Sequence, residues 1–425
     1  LSSRTPGLLG SEIHEAQDLC SRKKSFFYRG FVEKPLYLHH SKTFLMRPTA
    51  LKLTAAFLLF CGMSNNVMAQ ADPINVVTTA VPFLRISPDA RSGGMGELGI
   101  ATSPDTYSGF WNIGKAAFNK SKSGIAATYT PWMKDLVNDV YLASVSGFHK
   151  ISDDQAITGS VRYFSLGDIT FTDNLGNDFG NFRPREFGVD LGYSRKLNDK
   201  SGVGITLKYI NSNLAGGTTV GSTTYQAGSA VAADLGYYHT NKGATGAGLA
   251  WGVTLSNLGS KIAYTTNADA KDFIPANLGA GVNYTKVYND KNKISFGLET
   301  NKLLVPTPPA EGDAAALSAY RSKGVVSSWL SSLGDAPGGF GEEIKEFQWS
   351  MGAEYTYNNQ FNLRAGYFYE NATKGNRRYF TTGLGVVYNV FQFNFAYLIP
   401  TGSGVSRNPL SNTLRFSVAF DLSKK

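Results

Sequence analysis

Phe187-Gly188-Val189-Asp190-Leu191-Gly192-Tyr193-Ser194 alternates a large apolar side chain with a small or polar one at every step. Successive side chains of an extended backbone point to opposite faces, so this stretch has one greasy face and one polar face. The same rhythm returns with Val203, Ile205, Leu207 and Tyr209 against Gly204, Thr206 and Lys208, and with Val231, Ala233, Leu235 and Tyr237 against Ala232, Asp234 and Gly236. Further along, Leu278 to Tyr284, Trp349 to Tyr355, Phe391 to Tyr397 and Leu414 to Phe420 repeat it.

Worked outward over the chain, the pattern predicts about fourteen strands. They cover 123–132, 139–151, 155–166, 185–197, 201–213, 227–239, 246–258, 276–288, 292–302, 346–357, 360–369, 378–388, 391–399 and 412–422. Segments of this length suit a tilted strand crossing a bilayer, and an even number closes with both termini on one side. The connections alternate: short turns at 152–154, 198–200, around 241–243, 289–291, 358–359 and 389–390, and longer links at 133–138, 167–184, 214–226, 259–275, 303–345, 370–377 and 400–411. Outer-membrane barrels pair short periplasmic turns with longer outside loops. A soluble sandwich or propeller also alternates, but its strands average only about five or six residues. The expected fold class is therefore all-β membrane: a closed antiparallel transmembrane β-barrel over 123–425.

Composition agrees. Charged residues make up 17% of the chain, against roughly 25% in soluble domains, while the 46 Gly, 22 Tyr and 27 Phe suit a small-residue lumen and aromatic girdles. The net charge of +9 is concentrated early. Without residues 1–69, which carry nine Lys/Arg and four Asp/Glu, 32 basic and 28 acidic side chains remain. No basic run with interleaved aromatics follows, so no nucleic-acid partner is expected.

Met46-Arg47-Pro48-Thr49-Ala50-Leu51-Lys52, an apolar core from Leu53 to Cys61, and Val67-Met68-Ala69 form a signal peptide over 46–69, with cleavage expected after Ala69. The apolar run is too short for a transmembrane helix, which takes about 20 residues. Phe60 stands where a lipidated cysteine is normally preceded by a small residue, so Cys61 is not expected to carry lipid. Residues 1–45 are read as a spurious upstream extension. Cys20 and Cys61 both precede the cleavage point, and His14, His39 and His40 lie in the extension. The mature chain then has no thiol chemistry and only His149 and His239, near periplasmic strand ends, so no metal site, cofactor or catalytic centre is expected.

Residues 70–122 lack the strand rhythm and suit a hatch folded into or under the barrel. Gly93-Gly94-x-Gly96 would cradle phosphate only between a strand and a helix, which the surrounding sequence does not show. The inward positions Arg162, Asp190, Lys208, Asp234, Glu299, Glu354, Arg364, Arg415 and Asp421 are nearly balanced in sign. They fit either a network supporting a plug or a solute path with charged rings. In 303–345, the segment 314–321 precedes Val325, Val326, Trp329, Leu330 and Leu333 at helical spacing, an amphipathic surface helix through residue 333. Loops this long are usually functional or disordered, and this one is too apolar to be merely disordered. It is either a lid across the mouth or a docking surface with Trp329, Leu330 and Phe340 as exposed anchors.

Three stretches are distinctive, and nothing in barrel physics demands the last: Phe83-Leu84-x-Ile86-x-Pro88-Asp89-x-Arg91-x-Gly93-Gly94-Met95-Gly96 with Pro104-Asp105, Tyr129-Thr130-Pro131-Trp132, and Asp335-Ala336-Pro337-Gly338-Gly339-Phe340. With these motifs the whole mature chain resembles the PorV family, outer-membrane proteins of the type IX secretion system built like the FadL fatty-acid transporters. One departure is that the family's usual Trp-Asn-Pro-Ala-Lys reads Trp111-Asn112-Ile113-Gly114-Lys115. The resemblance implies a fourteen-stranded FadL-like barrel in outer-membrane lipid, with Phe83, Arg91, Gly93, Gly94 and Trp111 in an N-terminal hatch. It also implies a role in collecting cargo with a C-terminal secretion domain from the giant translocon SprA (Sov) and delivering it to the attachment complex containing the PorU sortase, where the catalysis resides. The alternative is a FadL-like channel for hydrophobic small molecules.

Overall fold

The computed structural model describes residues 75–132, 137–172, 178–220, 222–266, 271–309, 312–401 and 413–423. The expected extension and signal peptide lie outside the described residues, as does most of the 400–411 link.

Fourteen antiparallel strands close into a barrel. They are β1 (Ser123–Pro131), β2 (Val140–Lys150), β3 (Gln155–Leu166), β4 (Arg185–Lys196), β5 (Ser201–Asn213), β6 (Gly228–Thr240), β7 (Gly248–Gly259), β8 (Asn277–Asn289), β9 (Asn292–Leu303), β10 (Gln348–Tyr357), β11 (Phe361–Tyr369), β12 (Arg378–Tyr388), β13 (Phe391–Pro400) and β14 (Leu414–Asp421). Each pairs with the next, and β14 returns to β1 from Gly124↔Asp421 to Tyr129↔Phe416, so no sheet edge is left open. Every boundary falls within two residues of the sequence expectation. The facing holds as well. Leu191 is 66% exposed on the outer face, whereas Asp190 and Gly192 beside it are buried.

Aromatic side chains gather at both ends of the wall. Tyr129, Tyr141 and Tyr163 follow one another at ring distances of 5.5 and 6.3 Å near the long-loop end. Tyr237 meets Trp251 at 5.1 Å and Phe391 meets Phe420 at 5.1 Å near the short turns. Amphipathic rings favour the two membrane–water boundaries, and the residues between them are the apolar band. No described helix is long and apolar enough to cross a membrane, so the crossing elements are the strands.

The short turns owe their form to asparagine. Asn198 accepts hydrogen bonds from the Lys200 and Ser201 amides, and Asn289 from those of Lys291 and Asn292. Asn358 and Asn359 both take positive φ, 52° and 55°, a conformation asparagine tolerates, in the three-residue turn closed by the Gln360 amide on the Tyr357 carbonyl.

The long connections carry secondary structure of their own. Two-stranded hairpins form at 169–172 with 178–182, 219–220 with 223–224, and 262–263 with 271–272. Runs of two to five residues are too short to display a period. Three helices occupy 303–345, in addition to the single-turn helices α1 (Ala90–Gly93) and α2 (Ser108–Trp111) before the barrel. They are α3 (Ala314–Ser322), α4 (Val325–Ser331) and α5 (Phe340–Lys345). The helix expected to run to Leu333 stops at Ser331 as the chain turns through Ser332 and Gly334, and α5 was not anticipated.

Candidate functional site

The segment 75–122 runs through the barrel interior from one end to the other. At the long-loop end the Asn75 amide donates to the Thr373 carbonyl and the Ala80 amide to that of Phe273, at 3.1 and 2.9 Å. Below them Phe83 and Leu84 pack with Phe164, Ile210 and Ile262 in a buried apolar cluster. Helix α1, capped by the Asp89 carboxylate on the Ser92 amide, lies against β12, β13 and β14. The 3-10 turn Ile113–Phe118 lies against β4, β5 and β6. At the short-turn end Ser121 donates to Asp421, and the Lys150 amide donates to the Lys122 carbonyl at 2.7 Å.

Wall glycines mark the path of this segment. Gly94 crosses Gly383, Met95 and Gly96 cross Gly352 and Gly366, Leu98 crosses Gly297, and Ile100 crosses Gly279 and Gly281. Asn112 then meets Gly236 and Gly252, and Ile113 meets Gly192 and Gly204. A methyl group at Gly366 would lie 2.2 Å from the Gly96 nitrogen and the Met95 carbonyl carbon, both backbone atoms. The inward glycines thus leave room for a second polypeptide layer. Gly93, Gly94 and Gly96 serve the same close packing, with the Arg415 guanidinium against Gly93, rather than a phosphate cradle. At the family departure, a side chain on Gly114 would press on the Gly236 and Gly202 carbonyl oxygens at 2.8 and 2.9 Å, so the glycine fits this geometry.

The inward charges that sequence could not place are matched to this segment and to one another. Arg91 reaches Asp105 at 2.9 Å and Glu354 at 3.0 Å, and Glu354 also takes the Arg364 Nε at 2.7 Å. Arg415 pairs with Glu97 at 2.8 Å, Lys208 with Asp234 at 2.6 Å, and Arg162 with Asp190 at 3.2 Å. Glu299 accepts the Gly99 and Ile100 amides, each at 2.9 Å. Trp111 donates its indole N–H to Asp89 at 2.7 Å, while Asn112 donates to the Ile100 and Tyr237 carbonyls. This is the network arrangement, a buried set of charges with partners in place. Asp421 sits apart from it at the rim. Sequence reasoning missed Glu97, whose partner Arg415 is far away in the chain, and gave Asp105 no ionic role, although Arg91 lies only 14 residues before it.

Cavities remain between this segment and the wall among the described residues. One of about 110 Å³ is lined by Phe110, Trp111, Trp132, Phe368 and Tyr379 beside Arg85. Another, of about 320 Å³, opens at the long-loop end between Val76–Thr79 and the 303 and 370–377 connections.

The 303–345 loop is clamped to the rim by charge. Lys302 binds Glu343 and Glu346, both at 2.6 Å, and Lys374 binds Glu342 at 2.5 Å and Glu346 at 3.0 Å. Hydrogen bonding to the Lys374 ammonium holds the Glu342 carboxyl below its usual value. The Asp335-to-Phe340 motif is built onto this clamp: Asp335 accepts from Thr307, Glu343 from the Ala336 amide and Glu342 from the Gly338 amide, while Gly339 takes φ 70°. Burial pushes the Asp335 carboxyl up. Phe340 is left 79% exposed and Leu330 71%. Trp329, expected as a third exposed anchor, is half-buried, because α4 turns it toward the side that buries Ser328 and Ser332.

Each described histidine meets a serine: His149 Nδ1 lies 2.7 Å from Ser123 Oγ, and His239 Nδ1 lies 2.9 Å from Ser201 Oγ. Among the described residues neither imidazole contacts a carboxylate, and no group of three or more metal-ligating side chains is assembled.

A closed, girdled fourteen-strand wall around a polypeptide-filled lumen is the design of an integral outer-membrane β-barrel. The sequence profile of the family described as Type IX secretion system protein PorV matches residues 47–310, more than half of the chain, and the chain belongs to that family. It is thus an outer-membrane component of the type IX secretion system. Solved structures similar to it include the toluene transporter TodX of Pseudomonas putida (11% identity, 82% of this chain and 98% of that one, TM-score 0.46). The toluene transporter TbuX of Ralstonia pickettii (12% identity, 78% and 96%, TM-score 0.44) and a FadL homologue of Pseudomonas aeruginosa (11% identity, 82% and 99%, TM-score 0.42) are others. No curated protein matches the sequence.

Proposed function

We propose that this barrel handles proteins at its outer face: it binds secreted cargo at a large translocon barrel of the SprA (Sov) type and passes it to a surface attachment complex with a PorU-like sortase. On this reading the chain performs no catalysis of its own. The observation that carries it is the outer loop, where a buried ion-pair clamp spends five charged side chains on holding Leu330 and Phe340 out in solvent. Exposed apolar anchors on an ordered support are what a protein interface requires. Segment 75–122 acts as the hatch, with Phe83, Arg91, Gly93, Gly94 and Trp111 fixing it, and its close packing supports a closed lumen.

The test is cross-linking from position 330 or 340 in intact cells. The expected products contain the translocon barrel or secreted cargo, and Phe340→Asp reduces secretion while the barrel still folds. Repeated recovery of the barrel alone, with normal secretion in the Asp variant, counts against the proposal.

The 110 Å³ aromatic-lined cavity favours a second reading, a channel for hydrophobic small molecules. A deletion strain that loses uptake of long-chain fatty acids while secreting normally supports that alternative.

A further inference from the structure

We infer that the 320 Å³ cavity at the long-loop mouth is a binding site for a peptide segment bearing a carboxylate, with Arg85 as the anion receptor and the main chain of Val76–Thr79 as the pairing edge; this rests on the protein-handling reading above. Two independent observations converge on that cavity.

The first is an unmatched charge. Arg91, Arg162, Arg364, Arg377 and Arg415 of the interior each have a carboxylate within ion-pair distance. Among the described residues Arg85 has none. Its Nη2 donates to the amide oxygen of Gln348 at 2.7 Å, and Gln348 in turn donates to Glu370 at 2.8 Å. Glu370 is already engaged by Arg377, and Glu346 by Lys302 and Lys374. The cationic and anionic side chains lining the cavity thus satisfy one another and leave one guanidinium over. A guanidinium in a confined site calls for a planar anionic partner, and a carboxylate matches its fork of donors.

The second is an unmatched backbone. Asn75 and Ala80 are tied to the rim by their amides. Between them Val76, Val77, Thr78 and Thr79 make no hydrogen bond to any described residue, although three of the four are half-buried. Main-chain donors and acceptors withdrawn from water seek partners. An incoming strand supplies them along its whole length, which a lipid or a small aromatic molecule does not. The cavity's other side is the Lys374–Glu346 part of the clamp beneath Phe340, so the site is continuous with the docking surface proposed above.

The experiment uses the full chain in its native membrane and a cargo C-terminal secretion domain as probe, with its natural carboxylate end or a carboxamide end. Heat-modifiable migration on gels checks that each variant is a folded barrel. A photo-cross-linking residue at Thr78 is expected to capture the domain, and Arg85→Gln to weaken its binding on the order of tenfold, with partial recovery in Arg85→Lys. Loss with the carboxamide end assigns the carboxylate to the chain terminus. Unchanged binding with the amide, together with sensitivity to Arg85→Gln, assigns it to an Asp or Glu side chain. If the domain co-purifies but Arg85→Gln binds as wild type and position 78 captures nothing, the site is wrong and the protein-handling role stands. If the domain does not bind at all, both fall. Arg85-dependent binding of oleate without binding of the domain overturns the peptide assignment in favour of a lipid.

Discussion

Glu354 stands between two guanidinium groups, Arg91 of the interior segment and Arg364 of the neighbouring strand, with little exposure to solvent. Glu354→Gln keeps the shape and removes the counter-charge from both, so a loss of about 3–5 kcal/mol is expected in denaturant unfolding of the purified barrel. Gly366 tests packing rather than charge. Gly366→Ala forces a methyl group into backbone atoms that cannot swing aside, a cost of about 1–3 kcal/mol. Gly243→Ala, with open space around it, serves as the control. By alternation alone Asp234→Asn, one step from the lipid face, reads as harmless. The structure reverses that reading. Asp234 is the counter-ion of buried Lys208 and accepts the Asn257 amide at 2.7 Å, so the neutral variant is expected to destabilise the barrel measurably. Nothing in the local sequence tells a lumen carboxylate with a task from one without.

At the scale of elements, the outer loop depends on Lys374 binding Glu342 and Glu346. The Glu342 carboxyl is held below its ordinary value of 4.5 by that ammonium. The linkage sign follows: the clamp's contribution is complete above the unfolded value and is lost as pH falls through the lower, folded one. Limited proteolysis within 303–345 should therefore accelerate on acidification below about pH 4.5 while the barrel keeps its heat-modifiable mobility. Lys374→Met should show the same sensitivity already at neutral pH; equal protease resistance in that variant would show that the clamp does not hold the loop. Here the sequence was only partly legible. The apolar spacing of Val325 to Leu333 announced a helix, but α5 is a six-residue element whose stability comes from lysines on β9 and the 370–377 link.

For the whole molecule, the outward face and the filled lumen give separate predictions. Leu235→Arg, in the middle of β6 on the lipid face, is expected to cost on the order of 2–4 kcal/mol if near the midplane, read from folding into lipid vesicles. Removal of Arg91–Lys115 takes away the layer that the wall glycines accommodate. Planar-bilayer recordings should then pass from a silent wild type to an open pore. A silent deletion variant with a folded barrel would mean that the interior is closed by something other than this segment.

By itself the sequence determined the closed wall. A period of two with consistent polarity and alternating link lengths is enough to fix strand number and facing, because a slip of one residue would turn every apolar side chain into the lumen. The motif Asp335 to Phe340 was visible as a departure from barrel requirements, and Leu330 and Phe340 as apolar positions of the long loop that the structure leaves exposed. Only the tertiary structure decided what fills the barrel, which charges meet, and that Trp329 is half-buried while Arg85 has no carboxylate partner among the described residues. Some of those outcomes depend on contacts between residues some 260 to 320 positions apart, such as Arg91 with Glu354 and Glu97 with Arg415. Local periodicity carries no information about such distant pairs.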